Sequence, residues 1–292
     1  VSIHFVIPYY GDPGYLIDAV DSVRKQTVSD WELTVVDDGY PGRVVADHLV
    51  SLGDSRIEYL RNSERLGPNG NTYKCSRLGR RELLCTMNAD DLLEPKYVEI
   101  VSGHFRDQSV VAVQPGVTVV DENGGVGDSL ADRVKRVISA RPRSRGTIEG
   151  EAGVRSLLAG NWLYTPSLTY RAAAVVDIPF HEGIDAIHDL AFVVDLLLGG
   201  GRIAIDPAPA FRYRRHGASD SSTRARDGRR YDQEQRYFRE IALQLRLRGW
   251  ARAARAADLH VFSRLHALKV AVEMATAGDL SGARAMVGRM LS

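Results

Sequence analysis

The chain has 292 residues, of which 44% are hydrophobic and 26% charged, and its formal net charge is +1. These values suit one large α/β domain, or a domain with an appendage, and point away from a polyanion partner. Two cysteines, Cys75 and Cys85, make no disulfide framework and no metal-ligand spacing, which fits a reducing compartment. The opening run, VSIHFVIPYYGD, has neither a basic segment nor a small-residue cleavage site, so a strand is expected there rather than a signal peptide. No run approaches the roughly 20 apolar residues of a membrane span. The longest, LAFVVDLLLGGG, carries Asp195 and ends in glycines. A cytoplasmic protein is expected.

IHFVIPY, at 3–9, reads as a buried strand stopped by Pro8. YLIDAVDSVRKQT then places Leu16, Ile17, Val20 and Val23 on one helical face. WELTVVDDG is a second strand ending in Asp37 and Asp38, VVADHLVSLG a helix closed by Gly53, and IEYLRN a third strand. RLGPNGNTYKCSRLG is a Gly- and Asn-rich loop that enters a helix near Asn71. ELLCTMN is a fourth strand, and it runs into Asn88, Ala89, Asp90 and Asp91. This alternation predicts a parallel, helix-covered sheet. Ligands of such sheets bind at the carboxyl ends of the strands. The polar clusters at 9–12, 37–38 and 88–91 all fall there. Adjacent carboxylates repel and are costly to desolvate, so they belong at a solvated crevice or beside a cation.

After Pro95 come a helix, KYVEIVSGHF, and a strand, VVAVQPGVTVVD. Residues 122–144 mix glycine, a helix near LADRVKRVIS and a basic loop. A helix at 151–159 follows, then NWLYTPSLTYRAAA, a helix after IDAIHD, a strand RIAID and a turn FRYRRHGASDSS. From about residue 224 the pattern is helical only, with apolar stripes in YDQEQRYFREIALQLRLRGW and HVFSRLHALKVAVEMA and a return arm in GDLSGARAMVGRML. The expected boundary lies in SSTRARDGRR, giving domains 1–222 and 223–292.

Four of these stretches, in this order, resemble the motifs of family 2 glycosyltransferases of the GT-A type. FVIPYYGDPGYLIDAVDSVRKQT with WELTVVDDG looks like the family's opening, and NADDLLEP stands at its D-x-D motif. IHDLAFVVDLLLGGGRI stands at its Glu-Asp motif, and YRRHGASDSS resembles Y-R-x-H-x-x-S. The set covers residues 3 to about 222 and leaves out the C-terminal helices. The resemblance implies a Rossmann-like GT-A domain, with a mostly parallel central sheet covered by helices and here a C-terminal helical appendage. It also implies inverting, metal-assisted transfer of a sugar from a nucleotide-diphospho-sugar to an acceptor hydroxyl.

Residue by residue, the donor-binding set so implied is Pro8, Tyr10, Asp12, Asp38, Asn88, Asp90, Arg214, Ser219 and Ser221. The Tyr10 ring suits stacking on the base, and Asp38 suits the ring N–H of uracil or thymine, which favours a UDP- or dTDP-sugar. Asp90 is the expected ligand of Mg²⁺ or Mn²⁺, with His216 as the second. Asn88 stands where the family commonly has an aspartate and brings no charge. Asp189 is the expected general base, with Asp185 next in line, and as a helix cap it would also be worth ~1 kcal/mol. Its neighbour His188 replaces the family's usual acid. Trp162, Tyr164 and Asp91 are the acceptor-side candidates.

Two other functions stay open at this point. A sugar-1-phosphate nucleotidyltransferase needs a basic Gly-rich loop, and VIPYYGDPGY has no basic residue. A non-catalytic nucleotide-sugar binder would accommodate Asn88 and His188. The Arg- and Leu-rich stretch REIALQLRLRGWARAARAA is a candidate contact to the inner face of a membrane or a homodimer surface of the C-terminal helices. Interspersed Asp227, Asp232, Glu234 and Glu240 argue against nucleic acid.

Overall fold

The computed structural model describes residues 2–122, 124–126, 146–215 and 229–291. Its first strand, β1 (Ile3–Tyr9), is buried on both faces, as a strand inside a helix-covered sheet must be. It pairs in parallel with β2 (Trp31–Asp37) on one side and β4 (Leu83–Thr86) on the other, and β2 pairs in parallel with β3 (Ile57–Arg61). The buried His4 inside β1 is satisfied by Leu78 O at 3.0 Å and Thr34 Oγ1 at 2.8 Å. Burial holds this imidazole below its ordinary range, so it is neutral.

Helices α1 (Pro13–Arg24), α2 (Val44–Ser51) and α3 (Gly67–Ser76) connect these strands. α1 buries Leu16, Ala19, Val20 and Val23, close to the stripe that the spacing predicts. Asp12 caps it, accepting the Gly14 N–H at 2.7 Å, and Pro13 opens it. α3 begins at Gly67, ahead of Asn71, with Pro68 in its first turn.

Past β4 the sheet continues through β8 (Thr169–Arg171), β6 (Val110–Val120), β9 (Arg202–Arg214) and β5 (Leu92–Leu93), and β7 (Gly146–Ile148) also pairs with β9. β6 and β9 are parallel; β8 runs antiparallel to β4 and β6, as do β5 and β7 to β9. β9 departs most from expectation: the segment given to a turn from Phe211 onward continues the strand to Arg214. Pro207 and Pro209 break the apolar pattern, but they lie where the β6–β9 register shifts beside Gly116. A Cβ on Gly116 would stand 2.5 Å from the Pro207 carbonyl oxygen, so only glycine fits there.

The remaining described helices are α4 (Tyr97–His104), α5 (Gly150–Ala159), α6 (Ala172–Val175), α7 (His188–Leu198), α8 (Arg229–Leu247), α9 (Ala251–Leu259), α10 (Val261–Thr276) and α11 (Leu280–Leu291). The chain divides into two compact units. The first, Val1–Ile148, Leu163–Ile178 and Gly200–Arg215, holds the sheet. The second joins Glu149–Trp162 and Pro179–Gly199 to the C-terminal helices, so it includes segments that the sequence reading put within 1–222. In it α5 packs on α7 and α9, and α10 and α11 form a hairpin whose Ala267, Val270, Ala271 and Met286 cluster with Tyr231 of α8. α7 is almost wholly buried, which explains its apolar run. Its Asp195 is bonded to His181 at 2.6 Å; burial pushes that carboxyl up and His181 pulls it back down. Among the described residues no helix is long and apolar enough to cross a membrane.

Candidate active site

Three adjacent parallel strands, β2, β1 and β4, end in polar groups. At the end of β1, Tyr10 is 46% exposed, and the Arg65 guanidinium lies 3.7 Å from its ring centroid. The Tyr40 ring meets it edge-on at 6.3 Å. Pro8 is half-buried within β1, opposite Val36. Asp12 lies one residue before α1 and spends an oxygen on its cap.

At the end of β2 both carboxylates are buried. Asp37 accepts the Tyr40 N–H at 2.7 Å, Arg61 Nη1 at 3.1 Å and the Tyr59 hydroxyl. Burial and the bond to Asp37 raise Tyr59 above the usual phenol range, which keeps it a donor. Asp38 accepts Asn62 Nδ2 at 2.8 Å and the backbone N–H groups of Leu66 at 2.8 Å and Gly67 at 2.9 Å. Asn62 in turn donates to Asn71 at 3.0 Å and accepts Lys74 Nζ at 2.7 Å, so a cation backs the aspartate through one amide. Asp38 therefore fixes the loop that leads into α3. A carboxylate has about four acceptor sites, and three are taken.

At the end of β4, Asn88 and Asp90 are half-buried, whereas Asp91 is fully buried. Asp91 Oδ1 accepts the Arg214 backbone N–H at 2.9 Å, and Oδ2 has no hydrogen-bond partner among the described residues. Burial, then the Asp90 charge, push the Asp91 carboxyl well above the usual carboxylate range; the Arg214 N–H and the Asn88 side chain pull against that. The solvated crevice expected for the whole pair is thus not the setting of Asp91. The Arg214 side chain is tied to α1, over the Tyr15 ring at 4.5 Å and beside Asp18 at 3.3 Å. Tyr164, also in the first unit, is half-buried; its N–H donates to Gln114 at 2.8 Å, and its ring lies 5.2 Å from Tyr213. His216, Ser219 and Ser221 lie outside the described residues.

In the second unit, Asp189 is exposed in the first turn of α7 and Asp185 is exposed in the short turn before it. Ile187 holds the cap position, so Asp189 is not the cap. His188 is buried, edge-on to Phe180 at 5.3 Å, and its Nδ1 has no partner among the described residues. Burial lowers its imidazole pKa, and the Asp189 charge raises it again. Trp162 is buried too, donating its indole N–H to Ser156 at 3.1 Å.

Sequence reasoning missed Arg65 and the Asn62–Asn71–Lys74 network. Asn62, at the end of IEYLRN, and the asparagines of GPNGN were the available signal. Among the described residues no group of three His, Cys, Asp or Glu side chains gathers to hold a metal ion.

Comparison with known proteins bears on this arrangement. Residues 4–166 match the model of glycosyl transferase family 2. The crystal structure of S. aureus TarS 1–349 in complex with UDP-GlcNAc superposes with a TM-score of 0.65 at 16% identity, covering 98% of this chain and 90% of that one. Chondroitin synthase of Escherichia coli is 30% identical over 131 residues, 43% of this chain and 18% of that protein. An uncharacterized protein of Mycobacterium tuberculosis is 29% identical over 238 residues, 78% of this chain and 71% of that protein. The family match, the shared fold and the polar strand ends agree, and they set aside the nucleotidyltransferase reading: this chain belongs to glycosyl transferase family 2 and has the GT-A fold.

Proposed function

We propose that this glycosyltransferase moves a sugar from a UDP- or dTDP-sugar to an acceptor hydroxyl with inversion at the anomeric carbon. One observation carries the reading: an exposed ring–guanidinium pair, Tyr10 with Arg65, ends the strand that lies between those ending in Asp38 and Asp90. Tyr10 offers a flat contact to the base. The fourth acceptor site of Asp38 takes the ring N–H of uracil or thymine. The solved complexes of TarS with UDP-GlcNAc and with UDP support a uridine donor.

The half-buried carboxylate of Asp90 and the amide oxygen of Asn88 are hard oxygen donors. This donor chemistry fits Mg²⁺ or Mn²⁺, which binds through few carboxylates together with substrate phosphates. When bound, such an ion neutralises charge on the departing diphosphate. Asp189, exposed at the start of α7, takes the proton of the acceptor hydroxyl. The hydroxyl oxygen forms the new bond to the anomeric carbon. The bond to the diphosphate oxygen breaks, and its electron pair leaves with the nucleoside diphosphate.

A thermal-shift screen of UDP, dTDP and GDP, each with and without Mn²⁺, tests this. A ligand that binds only the native state raises Tm. UDP or dTDP should raise it in a Mn²⁺-dependent way and GDP should not. Equal shifts for all three would remove the base assignment.

A further inference from the structure

The turn between α8 and α9 holds none of the residues assigned above to the transfer reaction. α8 buries Tyr237, Phe238, Ile241, Ala242 and Leu245. On its other side Leu243 is 61% exposed and Leu247 is 92% exposed, one helical turn apart. The chain then passes through Arg248, Gly249 and Trp250, with Gly249 at a φ of 80° that turns it sharply into α9. Between Glu240 and Asp258 there are four arginines, Arg246, Arg248, Arg252 and Arg255, and no acid. Arg246 pairs with Asp258 at 2.5 Å, and Arg248 lies 4.6 Å from the Trp250 ring centroid. The Glu151 carboxylate accepts the backbone N–H groups of Arg252 and Ala253, so it serves the helix start. The side chains of Arg252 and Arg255 are exposed and have no carboxylate partner among the described residues.

A protruding leucine alone would suit a groove on another protein. A basic run alone would suit any polyanion. The combination, two exposed aliphatic side chains and a half-exposed tryptophan in a stretch with four arginines and no acid, matches the boundary where acyl chains meet anionic headgroups. We propose that the α8–α9 turn docks this protein on an anionic phospholipid bilayer. Leu243 and Leu247 enter the acyl boundary, Trp250 sits at headgroup level, and Arg248, Arg252 and Arg255 face the lipid phosphates. This inference is independent of the donor, the metal and the base proposed above.

The test is sedimentation of the full chain with phosphatidylcholine vesicles, with and without phosphatidylglycerol. Binding should need phosphatidylglycerol and weaken as salt rises. Each of Arg248→Ala, Arg252→Ala and Arg255→Ala should lower partitioning about fivefold. Leu247→Ala should lower it about tenfold and leave Tm and UDP binding unchanged. Failure of the native protein to bind anionic vesicles overturns the proposal. So does vesicle binding that these variants do not weaken. Heparin binding without vesicle binding would assign the turn to a soluble polyanion. Self-association lost in Leu247→Ala, again without vesicle binding, would assign it to a second copy.

Discussion

Asp37-Asp38 and Asp90-Asp91 read alike: two adjacent aspartates at the end of an apolar strand. In the fold they part company. Asp37 and Asp38 are each met by three donors, so their charge is spent inside the protein. Asp90 stays half-buried, and Asp91 is fully buried with one backbone donor and one oxygen unpartnered among the described residues. A carboxylate met by three donors fixes backbone and keeps about one acceptor site open. A buried carboxylate oxygen that no donor among the described residues meets, as on Asp91, is costly to keep. Identical text therefore takes two different settings, one held by donors from neighbouring segments and one split between a half-buried and a fully buried carboxylate.

The comparison breaks first at Asp90. If Asp90 holds the proposed metal, Asp90→Ala should cut turnover on the order of 10³-fold or more, because the charge stabilisation such an ion supplies amounts to several kcal/mol. Stability should change by less than about 0.5 kcal/mol, as for a substitution outside the packed core. Initial rates and Tm on one purified variant check both, and near-native turnover would make the Asn88–Asp91 turn structural only.

Asp189→Asn comes next. Proton abstraction contributes ~10²–10⁴-fold, so turnover should fall in that range while donor affinity holds. Because Asp189 sits in the first turn of α7 rather than at its cap, the lost charge costs only ~0.3–1 kcal/mol of stability. Unchanged turnover would pass the role to Asp185.

The third change sharpens the contrast within the first pair. Asp38→Ala orphans the Leu66 and Gly67 N–H groups, at ~1–3 kcal/mol each. It should also lower UDP affinity, since a hydrogen bond to a charged acceptor is worth ~1.5–3 kcal/mol. Asp37→Ala should lose stability by a similar mechanism and keep its UDP affinity. Urea melts and titration calorimetry on both variants decide it, and equal loss of UDP affinity would erase the distinction.

The smallest effect belongs to neither pair. His4 is buried and neutral, with its pKa held below the ordinary 6.5. The folded state binds fewer protons there than the unfolded chain, so this part of the stability is present above about pH 6.5 and is lost as pH falls. His4→Gln should lose less stability than the native chain between about pH 6.5 and pH 5. Identical slopes in denaturant titrations would show that His4 does not contribute.

The strand–helix order through β4 was legible because apolar runs of period 2 and stripes of period 3.6 followed each other with clear breaks. The length of β9 was not, because Pro207 and Pro209 read as a stop and their bulge depends on Gly116 in another strand. The tightness of Asp38 was hidden for a similar reason, since its donors Asn62, Leu66 and Gly67 lie one strand further on. The burial of Asp91 depends on a backbone N–H from Arg214, far along the chain. Trp162 offered a plausible sugar platform, but its indole is spent on Ser156 inside the second unit. Local text showed where the carboxylates were; only the partners showed which were already satisfied.

The central claim is transfer with inversion from a uridine or thymidine diphosphate sugar. The most direct measurement is an NMR assignment of the anomeric configuration of the newly transferred sugar, made during the first turnovers with an accepted donor. A single displacement assisted by Asp189 predicts the configuration opposite to that of the donor. A product that keeps the donor's own configuration would contradict the account, whatever the binding residues prove to be.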